Sequence, residues 1–140
     1  MSAAITFAAA AATLHAAHQL GDHIFQTDGN DNHKAGPGRD AWRHLLAHVG
    51  TYHLTALAML LIATTALDLP ISVTGMTAGL GFSALTHALL DRRWPVRWVL
   101  EHTGAAELAA RQTPICGMYL ADQALHHGCL WVSALLIACL

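Results

Sequence analysis

The feature that most constrains this chain is a spacing. His18, Asp22 and Gln26 stand four residues apart at the end of an alanine-rich apolar run, and a helix stacks residues four apart on one face. The interval returns in His44/His48/Tyr52, in His87/Asp91 and in Asp122/His126, each beside or within an apolar stretch. In lipid an aspartate at the centre of a helix adds about 2.5–3.5 kcal/mol to the free energy of insertion. Something must offset that cost. The pattern therefore predicts helices whose polar stripes face one another and form one polar site inside a small bundle.

Composition says where such a bundle sits. A chain of 140 residues is one domain, and 54% of it is hydrophobic while only 11% is charged, against about a quarter charged in soluble domains. The expectation is an all-α integral membrane bundle of four transmembrane helices plus a short interfacial helix, over one domain, residues 1–140. The spans fall at about 3–26, 42–67, 71–91 and 115–140. The first, at 1.5 Å per residue, reaches ~36 Å, enough to cross the hydrocarbon. Residues 96–112 carry Glu101, His102, Glu107 and Arg111, too polar to cross, and read as the interfacial segment with Trp94 and Trp98 at headgroup level. Asp68-Leu69-Pro70 makes a turn, and Pro95 follows the abrupt end of the third span. The first run lacks a basic leader and feeds directly into the His18 stripe, so it reads as a retained helix rather than a signal peptide. Gly75, Gly79 and Ser83 form a small-residue face suited to close helix packing. Cys116, Cys129 and Cys139 form no CxxC pair and read as inert thiols. A net charge of −2 with no basic run excludes a nucleic-acid partner.

Topology then puts the stripes at one depth. His18, Asp22 and Gln26 lie where the first span ends. His44 and His48 lie where the second begins, His87 and Asp91 where the third ends, Asp122 and His126 where the fourth begins. All fall within ~15 Å of one membrane face by the helical rise. Lys34, Arg39, Arg43, Arg92, Arg93, Arg97 and Arg111, all seven basic residues, fall on that same side. The positive-inside rule makes it cytoplasmic, with both termini on the outer face.

The metal-ligand candidates are His18, Asp22, His48, His87, Asp91, Asp122 and His126. Imidazoles and carboxylates without sulfur suit Zn best, with Mn or Fe as alternatives. Seven candidates exceed the needs of one tetrahedral zinc and would serve one or two ions, two being the arrangement used for phosphate ester hydrolysis. Asp22, Asp91 and Asp122 are the candidates for catalytic carboxylates. Gln26 and Lys34 are candidates for substrate binding, Lys34 as an ammonium facing an anionic headgroup or phosphate, with Arg92 and Arg93 near the mouth. His44 and Tyr52 share the His48 face and are candidates for supporting ligands. His23, His33, His53, His102 and His127 read as solvated or packing histidines. No HExxH occurs, so a zincin protease is not supported.

Taken together, His18-xxx-Asp22-xxx-Gln26-Thr-Asp28, Lys34, His48 with Tyr52, His87-xxx-Asp91 and Asp122-Gln123-xx-His126 resemble a family of small bacterial membrane proteins catalogued as domain of unknown function 3307. The resemblance spans Leu14 to Trp131. It implies a multi-pass bacterial inner-membrane protein with these His and Asp positions as its signature, and it supplies no activity. Three functions follow from the residues. The leading one is a metal-dependent intramembrane hydrolase acting on a lipid-borne or phosphate-bearing substrate. The second is an ion or proton transporter or channel subunit. It would need a homo-oligomer, because the outer halves of the spans lack polar groups. The third is a non-catalytic membrane scaffold with a structural polar cluster.

Overall fold

A computed structural model describes residues 2–27 and 33–140; Asp28 lies outside the described residues. Among these residues the chain is all-helical, without strands. The helices are α1 (Ala3–His23), α2 (Gly38–Ala66), α3 (Val73–Leu90), α4 (Trp94–His102), α5 (Ala106–Ala110) and α6 (Gly117–Cys139). Local chemistry sets the breaks. Pro37 stands just before α2, which begins four residues earlier than the sequence pattern indicates. The Ser72 side chain accepts the Gly75 amide at 2.8 Å and caps α3. The segment expected as one interfacial helix is two, parted at Gly104, whose φ of +80° suits glycine. α1 stops at His23, because the amides of both Ile24 and Phe25 turn back to the Leu20 carbonyl. Gln26 therefore leaves the helical stripe that its spacing implied.

The four long helices form an up-and-down ring. Along α1 and α6, Phe7 meets Trp131, His15 meets His127, His18 meets Gln123 and His23 meets Tyr119. Rising numbers oppose falling ones, so the two helices are antiparallel. The same holds for α2 and α3, through His48–His87 and His53–Ser83, and for α1 and α2, through Gly21–Tyr52 and Asp22–His48. α3 lies antiparallel on α6 at very close range. A Cβ on Gly79 would stand 2.5 Å from Ile137 Cγ1 and 2.8 Å from the Ser133 carbonyl, and one on Gly75 2.8 Å from the Ile137 carbonyl. The small-residue face is thus a helix-packing surface. α4 and α5 pack across α6, where Gly117 admits the Leu108 carbonyl with no room for a side chain.

Two layers result. Ala10, Leu14, Ala17, Ala56, Leu60, Leu130, Ala134 and Ile137 fill the apolar layer. The other layer holds His18, His48, His87, Asp91 and His126, all buried. Large apolar side chains are exposed as well as buried: Leu54 is 68% exposed, Leu85 75% and Val73 84%. α2 and α3 are long and apolar enough to cross a membrane, and only 28% of the most apolar stretch of each is buried. α1 and α6 have comparable lengths, 21 and 23 residues, but their polar stripes lower their mean hydropathy.

Candidate metal centre

The centre is built from one turn of each long helix. Antiparallel packing brings the end of α1, the first half of α2, the end of α3 and the start of α6 to one level. Gly21 is part of this fit. A Cβ there would lie 2.6 Å from the Tyr52 ring, whose centroid is 4.2 Å from that of His87 with the two planes tilted at 47°.

Four atoms converge at the middle. His48 Nε2 is 3.0 Å from His87 Nε2 and 3.4 Å from both Asp22 Oδ1 and Asp91 Oδ2. His87 Nε2 is 3.6 Å from Asp22 Oδ1 and 3.4 Å from Asp91 Oδ2. Zinc held tetrahedrally at ~2.0–2.1 Å from N and O ligands separates those ligands by ~3.3 Å. The two nitrogens stand at about that separation from each other and from each of the two carboxylate oxygens. Asp22 Oδ1 and Asp91 Oδ2 are both buried and accept no hydrogen bond. An orphaned buried acceptor costs about 1–3 kcal/mol and more when charged, and a bound divalent ion is the kind of partner that would satisfy such an oxygen.

The surrounding histidines are arranged for the same purpose. His126 Nδ1 donates to the Asp122 carbonyl at 2.9 Å, which leaves its buried Nε2 lone pair without a partner. His18 Nε2 donates to Gln123 Oε1 at 3.1 Å, which leaves Nδ1, likewise unpartnered, 3.5 Å from Asp22 Oδ2. Fixing one ring nitrogen so that the other is a free donor is how ligating histidines are commonly held. Three sets could hold a metal ion: His48/His87/Asp91, His18/Asp22/His87 and Asp91/Asp122/His126. Asp91 belongs to two of them. Its other oxygen is occupied, because the Lys34 ammonium sits 3.1 Å from Asp91 Oδ1 and donates to Gln26 Oε1 at 2.9 Å. Lys34 is itself buried.

All seven sequence-derived ligand candidates thus lie in this layer, and Gln26 and Lys34 reach it from the loop. A cavity of about 650 Å³ opens onto it, lined by Asp22, Asp91 and Asp122 together with Gln26, Lys34 and residues of early α4. His44 points away, pairing with Asp40 at 3.6 Å and stacking on His33. His53 is satisfied at both nitrogens, by the Val49 carbonyl and the Ser83 hydroxyl. Arg92 turns inward rather than toward the cavity mouth: it donates to the carbonyls of Lys34 and Gly36 at 2.7 and 2.8 Å and lies over the Trp42 ring. It therefore holds the Lys34 loop in place. Gln123 and His15 are what the spacing argument missed. Gln123 falls one residue off the Asp122/His126 stripe, and only its place in the Asp122-Gln123-xx-His126 motif marked it. His15, one turn before His18 on α1, meets His127 with ring centroids 4.7 Å apart and planes tilted at 50°.

The geometry defines an all-helical protein with buried His/Asp groups that could hold a metal ion beneath an open cavity. No family model, no curated protein and no solved structure matches the chain.

Proposed function

We propose that this chain is a four-span inner-membrane protein of the kind its sequence resembles, the family catalogued as domain of unknown function 3307. In this reading it is a metal-dependent hydrolase of a lipid-borne or phosphate-bearing substrate, its site open to the cytoplasm. One observation carries the reading: two imidazole nitrogens, each within 3.6 Å of two unpartnered carboxylate oxygens, at the base of a cavity large enough for a substrate headgroup. The exposed leucines and valines around α2 and α3 support lipid as the surrounding solvent, since a soluble monomer rarely exposes so much apolar surface. α1 and α6 then cross beside them, their polar residues turned into the bundle.

His48, His87, Asp22 and Asp91 hold the metal, with Zn favoured and Mn or Fe as alternatives. A divalent ion in such a site supplies Lewis acidity and lowers the pKa of a water toward ~7. Asp122 has the most exposed carboxylate of the three, its side chain 23% accessible against 8% and 3% for Asp22 and Asp91. It lines the cavity and is placed to take the proton of the attacking water. The water oxygen bonds to the ester phosphorus or carbonyl carbon, the bond to the alkoxy oxygen breaks with its electron pair, and that oxygen leaves with the proton Asp122 carried. Asp122→Asn should retain metal and lose at least a hundredfold in turnover of a lipid phosphate or ester. Unchanged turnover would remove Asp122 from this role, and no turnover by the metal-loaded parent on any such ester would refute the hydrolase.

One observation favours a second reading, a proton or cation carrier. Imidazoles follow one another from the centre to the flank of α1: His48–His87 at 5.0 Å, His87–His126 at 4.6 Å, His126–His18 at 5.4 Å, His18–His127 at 5.0 Å and His127–His15 at 4.7 Å. Proton flux into sealed liposomes, abolished by His127→Phe, would select it.

A further inference from the structure

The start of α2 carries a group of side chains that the metal centre does not use. Arg39, Asp40, Trp42 and Arg43 line an open groove of about 600 Å³. Arg39 and Arg43 stand four residues apart and both are exposed. Neither guanidinium has a hydrogen bond or ion pair with a described residue. Asp40, the one carboxylate of the groove, faces His44 at 3.6 Å. The Trp42 ring is half exposed and has the Arg92 guanidinium over it at 5.0 Å. Arg92 is fixed in turn by the carbonyls of Lys34 and Gly36. Trp42 is thus held from outside α2, and the cations at this corner outnumber the carboxylate.

Beyond the groove the same face of α2 turns apolar. At 3.6 residues per turn, Arg39, Arg43, Leu46, Leu54 and Leu61 fall within about 80° of arc. The three leucines are 62%, 68% and 50% exposed. Gly50 lies on the same stripe, and a Cβ there would meet nothing within 4 Å, so no other helix covers it. The rise from Arg43 to Leu54 is ~16 Å, the depth of one leaflet of the hydrocarbon. Guanidinium binds phosphate through paired N–H groups, and tryptophan favours the headgroup level. A soluble anion would use the guanidinium groups alone. A cationic groove continued by a bare apolar stripe complements a lipid, with phosphate at one end and acyl chain along the rest.

We propose that Arg39, Trp42 and Arg43 bind the headgroup of an anionic phospholipid, whose acyl chain lies along Leu46, Leu54 and Leu61. The site is separate from the metal centre and rests only on the membrane part of the reading above.

The test is native mass spectrometry of the detergent-purified full chain, titrated with phosphatidylglycerol or with phosphatidylcholine of the same acyl chains. The parent should bind its first phosphatidylglycerol at least tenfold more tightly than phosphatidylcholine. Arg39→Ala/Arg43→Ala should weaken phosphatidylglycerol binding at least tenfold, from about fivefold for each cation removed beside an anionic lipid, and leave phosphatidylcholine binding unchanged. Both side chains are exposed, so the variant should keep the parent's helical circular dichroism. Arg111→Ala, which removes an exposed cation from the end of α5, should keep the parent's affinity. Equal affinity for the two lipids, no loss in the double variant, or an equal loss in Arg111→Ala overturns the site. Displacement of the lipid by water-soluble glycerophosphoglycerol at equal concentration overturns the acyl-chain contact and with it the proposal. Reconstitution into phosphatidylcholine vesicles separates this site from the reading beneath it. A parent that does not float with the vesicles overturns the membrane reading, whereas one that floats and shows no lipid preference overturns the headgroup site alone.

Discussion

Lys34→Met tests the electrostatics of the centre most sharply. Lys34 is 3.1 Å from Asp91 Oδ1, and the two side chains are only 8% and 3% exposed, so water screens the pair little. Methionine keeps most of the hydrocarbon stem and removes the ammonium. In metal-free protein the substitution leaves Asp91 as a buried carboxylate with one oxygen already orphaned. Breaking a buried pair from one side costs about 3–5 kcal/mol, and the lost bond to Gln26 Oε1 adds about 1 kcal/mol. For a chain of this size that is a fall in Tm on the order of 10 °C. A divalent ion changes the outcome. It supplies positive charge to Asp91 from the other side and no longer has an ammonium beside it. The variant should therefore recover most of its Tm on adding zinc and bind zinc at least tenfold more tightly than the parent. Thermal unfolding in detergent, with and without zinc, reads both effects. A metal-free Tm within about 1 °C of the parent, or a weaker zinc affinity in the variant, would refute this reasoning.

Two other substitutions probe what positions the site. Gly79→Val places a side chain into Ile137 and the Ser133 carbonyl; overpacking of this kind costs about 1–3 kcal/mol or more, and by pushing α3 from α6 it should lower zinc affinity although residue 79 lies two turns from His87, which parallel unfolding and zinc titrations would show. Tyr52→Phe removes a buried hydroxyl that has no hydrogen-bond partner and keeps the ring against His87, so stability should change by less than about 1 kcal/mol and zinc content not at all; loss of zinc in this variant would show that the hydroxyl takes part in the centre.

The parts of this architecture legible in the sequence were those that one helix can encode. Residues four apart in apolar helices must share a face, and short connections make neighbouring helices antiparallel, so the level shared by His18, His48, His87 and His126 follows from spacing and order. The small-residue face of Gly75, Gly79 and Ser83 was legible for the same reason. What escaped depends on contacts between segments distant in sequence. Gln26 continues the four-residue interval, yet the double capping of Leu20 ends α1 before it. Arg92 and Arg93 are adjacent and look equivalent, yet a left-handed turn at Arg93 sends Arg92 to the loop carbonyls and Arg93 to the cavity. The approach of Lys34 to Asp91 is set by that same Arg92 anchor, and no local pattern encodes it. Gln123 touches His18 only because α6 is packed against α1 in this register.

The central claim is that His48, His87, Asp22 and Asp91 bind a divalent metal. Elemental analysis of detergent-purified protein, beside a His48→Ala/His87→Ala variant that retains its helical circular dichroism, tests it directly. The account predicts about one equivalent of zinc, or of manganese or iron, in the parent and none in the variant. A parent that carries no metal, even after exposure to each of these ions, or a variant that carries as much as the parent, would contradict it.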